Sequence, residues 1–408
     1  MLIQFSAQNT FSIKDKVVLS LLAGADKEHP SHLINLEDQK KKCLKASIIY
    51  GANASGKSNV INAFWYMVDF VLNSHEKQLG RPTGRIPFRF DKKCPSEPSS
   101  FEVIFVQGKV RYAYGFSATE TEVTEEYLYH YANGRQAVVF ERKNTDEYRF
   151  TSDIDLQNSL KERNSPNKLY LSTAANWNYE KVKAAFAWFS ECRIICKFSP
   201  TDAYGLNAAL SMDKAYLDKM AKMLQVADLG IKALHLKEGI DEDSEKRIGQ
   251  SRQWDMKFSL SAIHQVVGSD NSLELYSLDM GEESDGTNSY LQLIGIVQKV
   301  LEKGGLLVAD EMDAHLHPLL SKHILTLFNS AEYNPCGAQL IFTSHNTNLL
   351  DLDILRRDQI WFTEKDEQTA ATDLFSLDDF SVRKDNKVER SYLLGKFGAV
   401  PFIKGGLQ

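Results

Sequence analysis

Eight residues, Gly51-Ala52-Asn53-Ala54-Ser55-Gly56-Lys57-Ser58, narrow the possible folds more than any other feature of the chain. A row of phosphates needs donors packed closely around it. Glycines let backbone N–H groups converge, a lysine reaches the β and γ oxygens, and a serine hydroxyl suits Mg²⁺. The same letters also occur by chance in ordinary loops, so the flanks decide. Here Ala46-Ser47-Ile48-Ile49-Tyr50 reads as a buried strand, and the run from Asn59 to Phe70 reads as a helix whose N-terminus faces the phosphates. Strand, loop and helix together predict an α/β fold. They make Ala54, Ser55, Gly56, Lys57, Ser58 and Asn59 the candidate contacts for ATP, with Ser58 as a ligand of Mg²⁺.

Phosphate-loop hydrolysis also needs a carboxylate at a strand end to organise Mg²⁺, and usually a second to activate water. Leu306-Leu307-Val308-Ala309-Asp310-Glu311 supplies both: four apolar residues for a buried parallel strand, Asp310 as metal ligand and Glu311 as general base. Alone, such a run could be any strand leaving a sheet. Lys57 and Asp310 lie 253 positions apart in the sequence, too far for a compact single-unit domain. ATPases of the ABC and SMC type are similar in this respect, since a β-rich lobe and a helical arm interrupt their cores.

The chain between the two motifs agrees with that layout. Alternation in Phe101 to Phe116 around Gln107-Gly108, and in Glu126 to Phe140 around Asn133-Gly134, predicts two antiparallel hairpins. From about Leu156 to Leu234 the periodicity turns helical, clearest in Tyr179 to Trp188 and Lys214 to Val226. Lys237 to Trp254 is polar and reads as a loop or hairpin tip. The expected division is therefore 1–150 for an N-terminal ATPase lobe, 151–265 for an inserted helical subdomain, 266–363 for a C-terminal ATPase lobe, and 364–408 for a tail packing on the core.

Composition excludes several classes. With 43% hydrophobic and 25% charged residues the chain is globular. No apolar run approaches the ~18 residues that a membrane crossing needs, and the start lacks a signal peptide, so a cytoplasmic protein is expected. Net charge is −6, which argues against a surface basic all over. Lys40-Lys41-Lys42 with Lys45 is the one dense cationic run and reads as a solvated loop. Five cysteines without a CxxC pair suggest reduced, buried thiols.

Ahead of the second motif stands Glu283-Ser284-Asp285-Gly286-Thr287, opening a helix through Tyr290 to Leu301. It resembles the ABC signature, in which Ser284 and Gly286 would bind a γ-phosphate held by a second protomer. Capping of that helix by Ser284 or Asp285 explains the same residues. Ser-Asp-Gly-Thr departs from the Ser-Gly-Gly-Gln of transporters and points to the soluble, SMC-like branch. His345, just past the strand Gln339 to Thr343, resembles the switch histidine at the γ-phosphate. Asp313 resembles the acid that crosses the ABC dimer interface, although it could cap the next helix. His315 and His317 lack a third metal ligand nearby and sit before Pro318 at a helix start.

Taken with the opening Met1 to Ser12 and the ending Tyr392 to Pro401, these motifs resemble, end to end, the soluble AAA/ABC-type ATPases of abortive-infection and restriction-associated loci, the RloA and AbiL kind. The resemblance implies an ABC/SMC-type P-loop NTPase head with an antiparallel β lobe and an inserted helical subdomain. It implies an ATP-hydrolysing subunit of a prokaryotic anti-phage system. ATP-dependent self-association would couple to a nuclease or toxin effector encoded nearby, with nucleic acid or a phage protein as trigger. Asn53 matches the Asn-x-Ser-Gly-Lys form of SMC-like heads, where it lies near the nucleotide. No glutamine matches the loop that couples the lobes, since Gln107 falls in a hairpin turn. The related OLD-type nucleases add a TOPRIM domain, which is not expected within the 46 residues given after Phe362, and Asp373, Asp378 and Asp379 read as a solvated loop. The alternative is an SMC-like DNA-repair or chromosome-associated ATPase that binds DNA directly, without long coiled-coil arms.

Overall fold

A computed structural model describes residues 1–36, 41–132, 134–196, 214–226, 230–240, 256–267, 271–314, 316–380, 382 and 387–400. The chain divides into two compact units: Met1–Lys197 with Val300–Met312 and Leu325–Gln408, and Phe198–Lys299 with Asp313–Ile324.

The first unit holds two large sheets. One is antiparallel, built from β1 (Leu2–Gln8), β2 (Val17–Ser20), β6 (Ser99–Gln107), β7 (Val110–Ala118), β8 (Val123–Ala132), β9 (Arg135–Lys143) and β10 (Glu147–Phe150), in the order β10-β9-β8-β7-β6-β1-β2. Strand β6 alternates buried and half-buried residues, as a strand with one covered face must. It turns into β7 through Gly108-Lys109, where Gly108 takes φ +60°. The second predicted hairpin is the pair β8 and β9, and its Asn133 lies outside the described residues.

The other sheet comprises β5 (Ala46–Tyr50), β11 (Arg193–Ile195), β15 (Leu306–Ala309), β16 (Gln339–Thr343), β17 (Ile360–Lys365) and β18 (Thr372–Ser376), in the order β11-β15-β16-β5-β17-β18. All neighbours are parallel except β17 and β18, which form an antiparallel hairpin. Every residue of β5, β15 and β16 is buried, as strands covered on both faces require. A short ribbon of β3 (Leu33–Asn35) and β4 (Lys42–Leu44) precedes β5.

Helix α1 (Lys57–Asn73) follows the phosphate loop and carries no proline or glycine. Val60, Ile61, Phe64, Met67, Val68 and Val71 are buried at helical spacing. Phe64 meets Phe5 of β1 edge-on at 5.1 Å, and Phe70 meets Phe116 of β7 at 5.5 Å. Ile49, Val308 and Ile341 of the parallel sheet lie in the same core. Each buried phenylalanine contributes about 1.5–3 kcal/mol, which fixes the helix, and the loop before it, against both sheets. Helices α2 (Ile154–Lys161), α3 (Tyr170–Asn176) and α4 (Glu180–Glu191) complete this core, with Trp188 stacked on Phe105 at 4.2 Å. Buried Glu126 of β8 accepts from the Tyr170 and Leu171 amides at 2.6 and 2.9 Å and from the Tyr114 hydroxyl at 3.0 Å, while Arg142 approaches at 3.8 Å. Buried Gln339 donates to the carbonyls of Leu2 and Leu44 and accepts from the Leu2 amide, joining β1 to the parallel sheet. After β18, α8 (Val388–Leu393) stacks Tyr392 on Phe362 at 5.4 Å.

In the second unit, β12 (Ile231–Ile240), β13 (Met256–Val267) and β14 (Leu273–Asp279) form an antiparallel sheet in that order. Helix α5 (Lys214–Val226) buries Leu217, Met220, Ala221 and Leu224 along one stripe. Helix α6 (Asp285–Lys303) leads to β15, and α7 (Pro318–Asn329) leads to β16.

Several expectations change. The stretch 151–265, expected to be helical, is mixed: α2 to α4 and β11 belong to the first unit, and β12 with β13 form a hairpin in the second. Leu260 and Ala262 carry the two-residue period of a strand, but a register shift between Ile231 and Ala233 breaks the period in β12, which blurs the alternation. Of Lys237 to Trp254, the first four residues continue β12 and 241–255 lie outside the described residues. Lys45 is buried and donates to the Ser330 carbonyl at 3.1 Å, so it is no part of a solvated loop; Lys40 lies outside the described residues. Cys336 is exposed rather than buried. Asp379 caps a turn by accepting from the Ser376 amide at 2.9 Å. Among the described residues no helix is long and apolar enough to cross a membrane.

Candidate nucleotide-binding and hydrolysis site

Three parallel strands, β15, β16 and β5, lie side by side and end on the same edge of their sheet. Carboxyl ends of parallel strands are where open α/β sheets bind ligands. The sequence places Gly51 to Ser58 after β5, Asp310 and Glu311 after β15, and Ser344-His345 after β16. The predicted residues Asn53 to Ser58, Asp310, Glu311 and His345 are thereby brought to one edge.

The loop conformation requires its glycines. Gly51 has φ +155°, and an added Cβ would lie 2.5 Å from the Ser55 hydroxyl and from the Thr363 carbonyl. Gly56 has φ +111° and caps α1 without any side-chain hydrogen bond, and an added Cβ would collide with Thr372. Ala54 is left-handed as well, at φ +63°, and Asn53 and Ala54 are exposed. The start of α1 thus keeps its amides clear of side-chain caps, as an anion site at a helix N-terminus must.

Lys57 is buried, and its ammonium donates to the carbonyls of Gly51 at 2.8 Å and Ala52 at 3.1 Å. Burial pulls its pKa down, while the nearby carboxylates of Glu311 and Asp310 push it up.

Asp310 is held from two sides: its amide donates to the Ile195 carbonyl at 2.8 Å, and its carboxylate accepts from the Thr343 hydroxyl at 2.6 Å. The same hydroxyl oxygen accepts from the Glu311 amide at 2.7 Å, so fully buried Thr343 fixes both acids. Glu311 sits at φ +48°, a left-handed conformation that costs a glutamate on the order of 1 kcal/mol or more. The strained turn separates the two carboxylates: Asp310 is buried, while half of the Glu311 side chain is exposed and lies 3.3 Å from His345 Nε2. An inner carboxylate with fixed oxygens can hold a cation. An outer one beside an imidazole can accept a proton from water.

Residues 47–351 match the family described as "AAA domain, putative AbiEii toxin, Type IV TA system". The chain belongs to that AAA domain family. No curated protein matches it. The match starts in β5 and ends just beyond His345, so it spans every residue of the edge described above. An AAA domain binds ATP and usually Mg²⁺, and the oxygens present fit that pair: a hydroxyl at Ser58 and a carboxylate at Asp310 are the hard ligands that Mg²⁺ takes alongside phosphate and water.

Other residues that the sequence singles out have the following partners within the protomer. The Asn59 side chain donates to the Ser12 hydroxyl at 2.7 Å. Ser284 caps α6: its hydroxyl accepts from the Thr287 amide at 3.1 Å and meets the Thr287 hydroxyl at 2.8 Å. Gly286 lies in the first turn of that helix. Glu283 pairs with His264 at 2.6 Å. His317 precedes α7, its ring accepts from the Leu319 amide at 3.3 Å, and His315 lies outside the described residues. Gln107 donates to Glu191 at 3.2 Å.

Sequence reasoning missed Thr343, Thr363, Thr372 and Ser12. Thr343 had a signal, a hydroxyl following the apolar run Leu340-Ile341-Phe342 in a buried strand that neighbours the one ending at Asp310. The other three belong to no spacing pattern.

Proposed function

We propose that the chain is an ATP-binding and ATP-hydrolysing subunit of a prokaryotic anti-phage, abortive-infection complex of the ABC/SMC type, in which ATP joins two heads and controls a nuclease or toxin partner. The observation that carries this reading is the division of labour after β15: Asp310 locked by Thr343 beside the phosphate loop, and Glu311 turned outward onto His345. A half-exposed glutamate held beside an imidazole suits activation of water, which binding alone does not require.

In the proposed cycle, the loop amides of Asn53 to Ser58 and the ammonium of Lys57 bind the β and γ phosphates, with Lys57 leaving the Gly51 and Ala52 carbonyls. Ser58 and Asp310 would hold Mg²⁺, which neutralises charge on the phosphate oxygens when bound. Glu311 accepts the proton of the attacking water, and His345 orients Glu311 and reaches toward the γ-phosphate. Ser284 and Gly286 of a second protomer close the site, with Asp313 at the interface, and hydrolysis reopens it.

Sedimentation of two variants in ATP and Mg²⁺ tests the proposal. Glu311→Gln is expected to bind ATP, lose about 10²–10⁴-fold in turnover and accumulate as a dimer. Lys57→Ala is expected to stay monomeric. Equal masses for the two variants would remove the dimer from the reading. Recovery of Glu311→Gln protein from its host with a stoichiometric nuclease or toxin supports an effector-controlling role. Recovery with DNA alone, dependent on ATP, favours instead the SMC-like clamp.

A further inference from the structure

A chain of hydroxyls reaches the phosphate loop from outside the family match. Thr372 Oγ1 donates to the Ser55 carbonyl at 2.9 Å, and Ser12 Oγ lies 2.7 Å from Thr372 Oγ1. Each hydroxyl has one proton to give. Since the Thr372 proton goes to Ser55, Ser12 must donate to Thr372, and the Ser12 oxygen in turn accepts from Asn59 Nδ2 at 2.7 Å. A second branch holds the other end of Ser55: its hydroxyl lies 2.6 Å from Thr363 Oγ1, and Thr363 donates to the Tyr50 carbonyl at 3.3 Å. By the same count, the Ser55 hydroxyl gives its proton to Thr363. Ser12, Ser55, Thr363 and Thr372 are all buried, so no water competes for these bonds.

The backbone around the relay is built to place it. Ser12 follows two left-handed residues outside glycine, Asn9 at φ +51° and Phe11 at φ +51°. The Thr372 amide donates to the Ser12 carbonyl at 2.7 Å. Asn9 is itself immobilised, donating to the carbonyls of Cys94 at 2.8 Å and Glu97 at 2.9 Å and accepting from the Phe88 amide at 3.1 Å. Strain of this kind persists only where the surroundings over-determine it.

We infer that Ser12, Thr363 and Thr372 are positioning residues for nucleotide binding: the relay Asn59 to Ser12 to Thr372 to Ser55 holds the phosphate loop open in its binding shape before nucleotide arrives. The inference rests on the ATP site proposed above. It gives the N-terminal turn and the β17–β18 hairpin a role in affinity that neither motif spacing nor the family match assigns.

Calorimetric titration of ATP, with Mg²⁺, into Thr372→Val, Thr372→Ser, Ser12→Ala and the Ser12→Ala/Thr372→Val double variant tests it. Thr372→Val keeps the shape and removes the hydroxyl, and is expected to weaken ATP binding about tenfold, the value of roughly one buried hydrogen bond. Thr372→Ser restores the hydroxyl and is expected to bind within about twofold of the native chain. Because Ser12 acts through Thr372, the double variant is expected to bind no more weakly than Thr372→Val alone. Thermal melting without nucleotide separates positioning from folding. If Thr372→Val melts like the native chain and binds ATP equally well, or if the two single effects add, the relay has no positioning role. Should Thr372→Val fail to fold, Ser12→Ala against the native chain decides by the same affinity comparison. Native protein that binds no ATP would overturn the nucleotide reading itself, a result distinct from native protein that binds while Thr372→Val binds equally.

Discussion

Two helix starts in this chain carry a serine-and-glycine pattern suited to phosphate, and they are made differently. At α1 the cap is Gly56, left-handed and without a side-chain bond, and the one strong cation, Lys57, is parked on loop carbonyls. At α6 the cap is Ser284, whose hydroxyl satisfies the Thr287 amide. One helix end is held open by residues elsewhere in the fold, while the other closes on itself. A helix N-terminus therefore becomes an anion site through what leaves its donors unspent, and the macrodipole alone does not distinguish the two. On the proposed reading, α1 would bind nucleotide within one protomer, whereas α6 would join only when a second protomer brings phosphate to it.

The largest effect that would break the contrast is at Lys57. Lys57→Ala removes a buried cation facing two carboxylates, and ATP affinity is expected to fall by about 10²-fold or more, on the order of 3 kcal/mol, in an equilibrium titration. Ser284→Ala is expected to leave affinity of the isolated protomer unchanged in the same titration. If both variants lose affinity alike, the two helix starts share one site within a protomer and the contrast fails.

Glycine substitutions sharpen it next. Gly56→Ala forces a Cβ into Thr372 at a left-handed φ, a cost of at least about 1–2 kcal/mol, and is expected to lower the melting temperature and abolish ATP binding together. Gly286→Ala lies within α6, where alanine is favoured over glycine by up to about 1 kcal/mol, so stability is expected to hold or rise while ATP-driven dimerisation is lost. A Gly286→Ala protein that dimerises and hydrolyses normally would leave α6 as a capped helix and nothing more.

The open helix start was the more legible of the two, and the reason is physical. Phosphate binding by α1 demands residue types at fixed local offsets, so Gly51, Gly56, Lys57 and Ser58 announce themselves, and a buried strand ending in Asp310-Glu311 does the same. The alternation of β6 to β9 was readable because one face of that sheet is covered. What holds the loop open was invisible: Ser12 and Thr372 are 360 positions apart, and two hydroxyls carry no periodicity. The outward turn of Glu311 depends on backbone strain that no residue letter records. In β13 the two-residue period was present, yet the irregular register near Ile231 broke it in the paired β12 and masked the hairpin. At Ser284 the opposite difficulty arose: serine before a helix serves capping and phosphate binding equally, and the residue types alone do not separate them.

The smallest expected effect is the one that separates those two roles. Ser284→Ala removes the bond to the Thr287 amide and should cost about 1 kcal/mol of stability, read as a modest drop in melting temperature. Ser284→Asp caps as well as serine does and adds a negative charge favoured by the helix dipole, so melting is expected to match the native chain. Its effect on turnover is then diagnostic. A carboxylate placed where a partner's γ-phosphate must approach repels it, and ATP-dependent dimerisation and hydrolysis are expected to fall together in Ser284→Asp while ATP binding to the protomer persists. Full activity in Ser284→Asp with reduced stability in Ser284→Ala would assign Ser284 to capping alone, and the closed helix start would then differ from the open one in function as well as in construction.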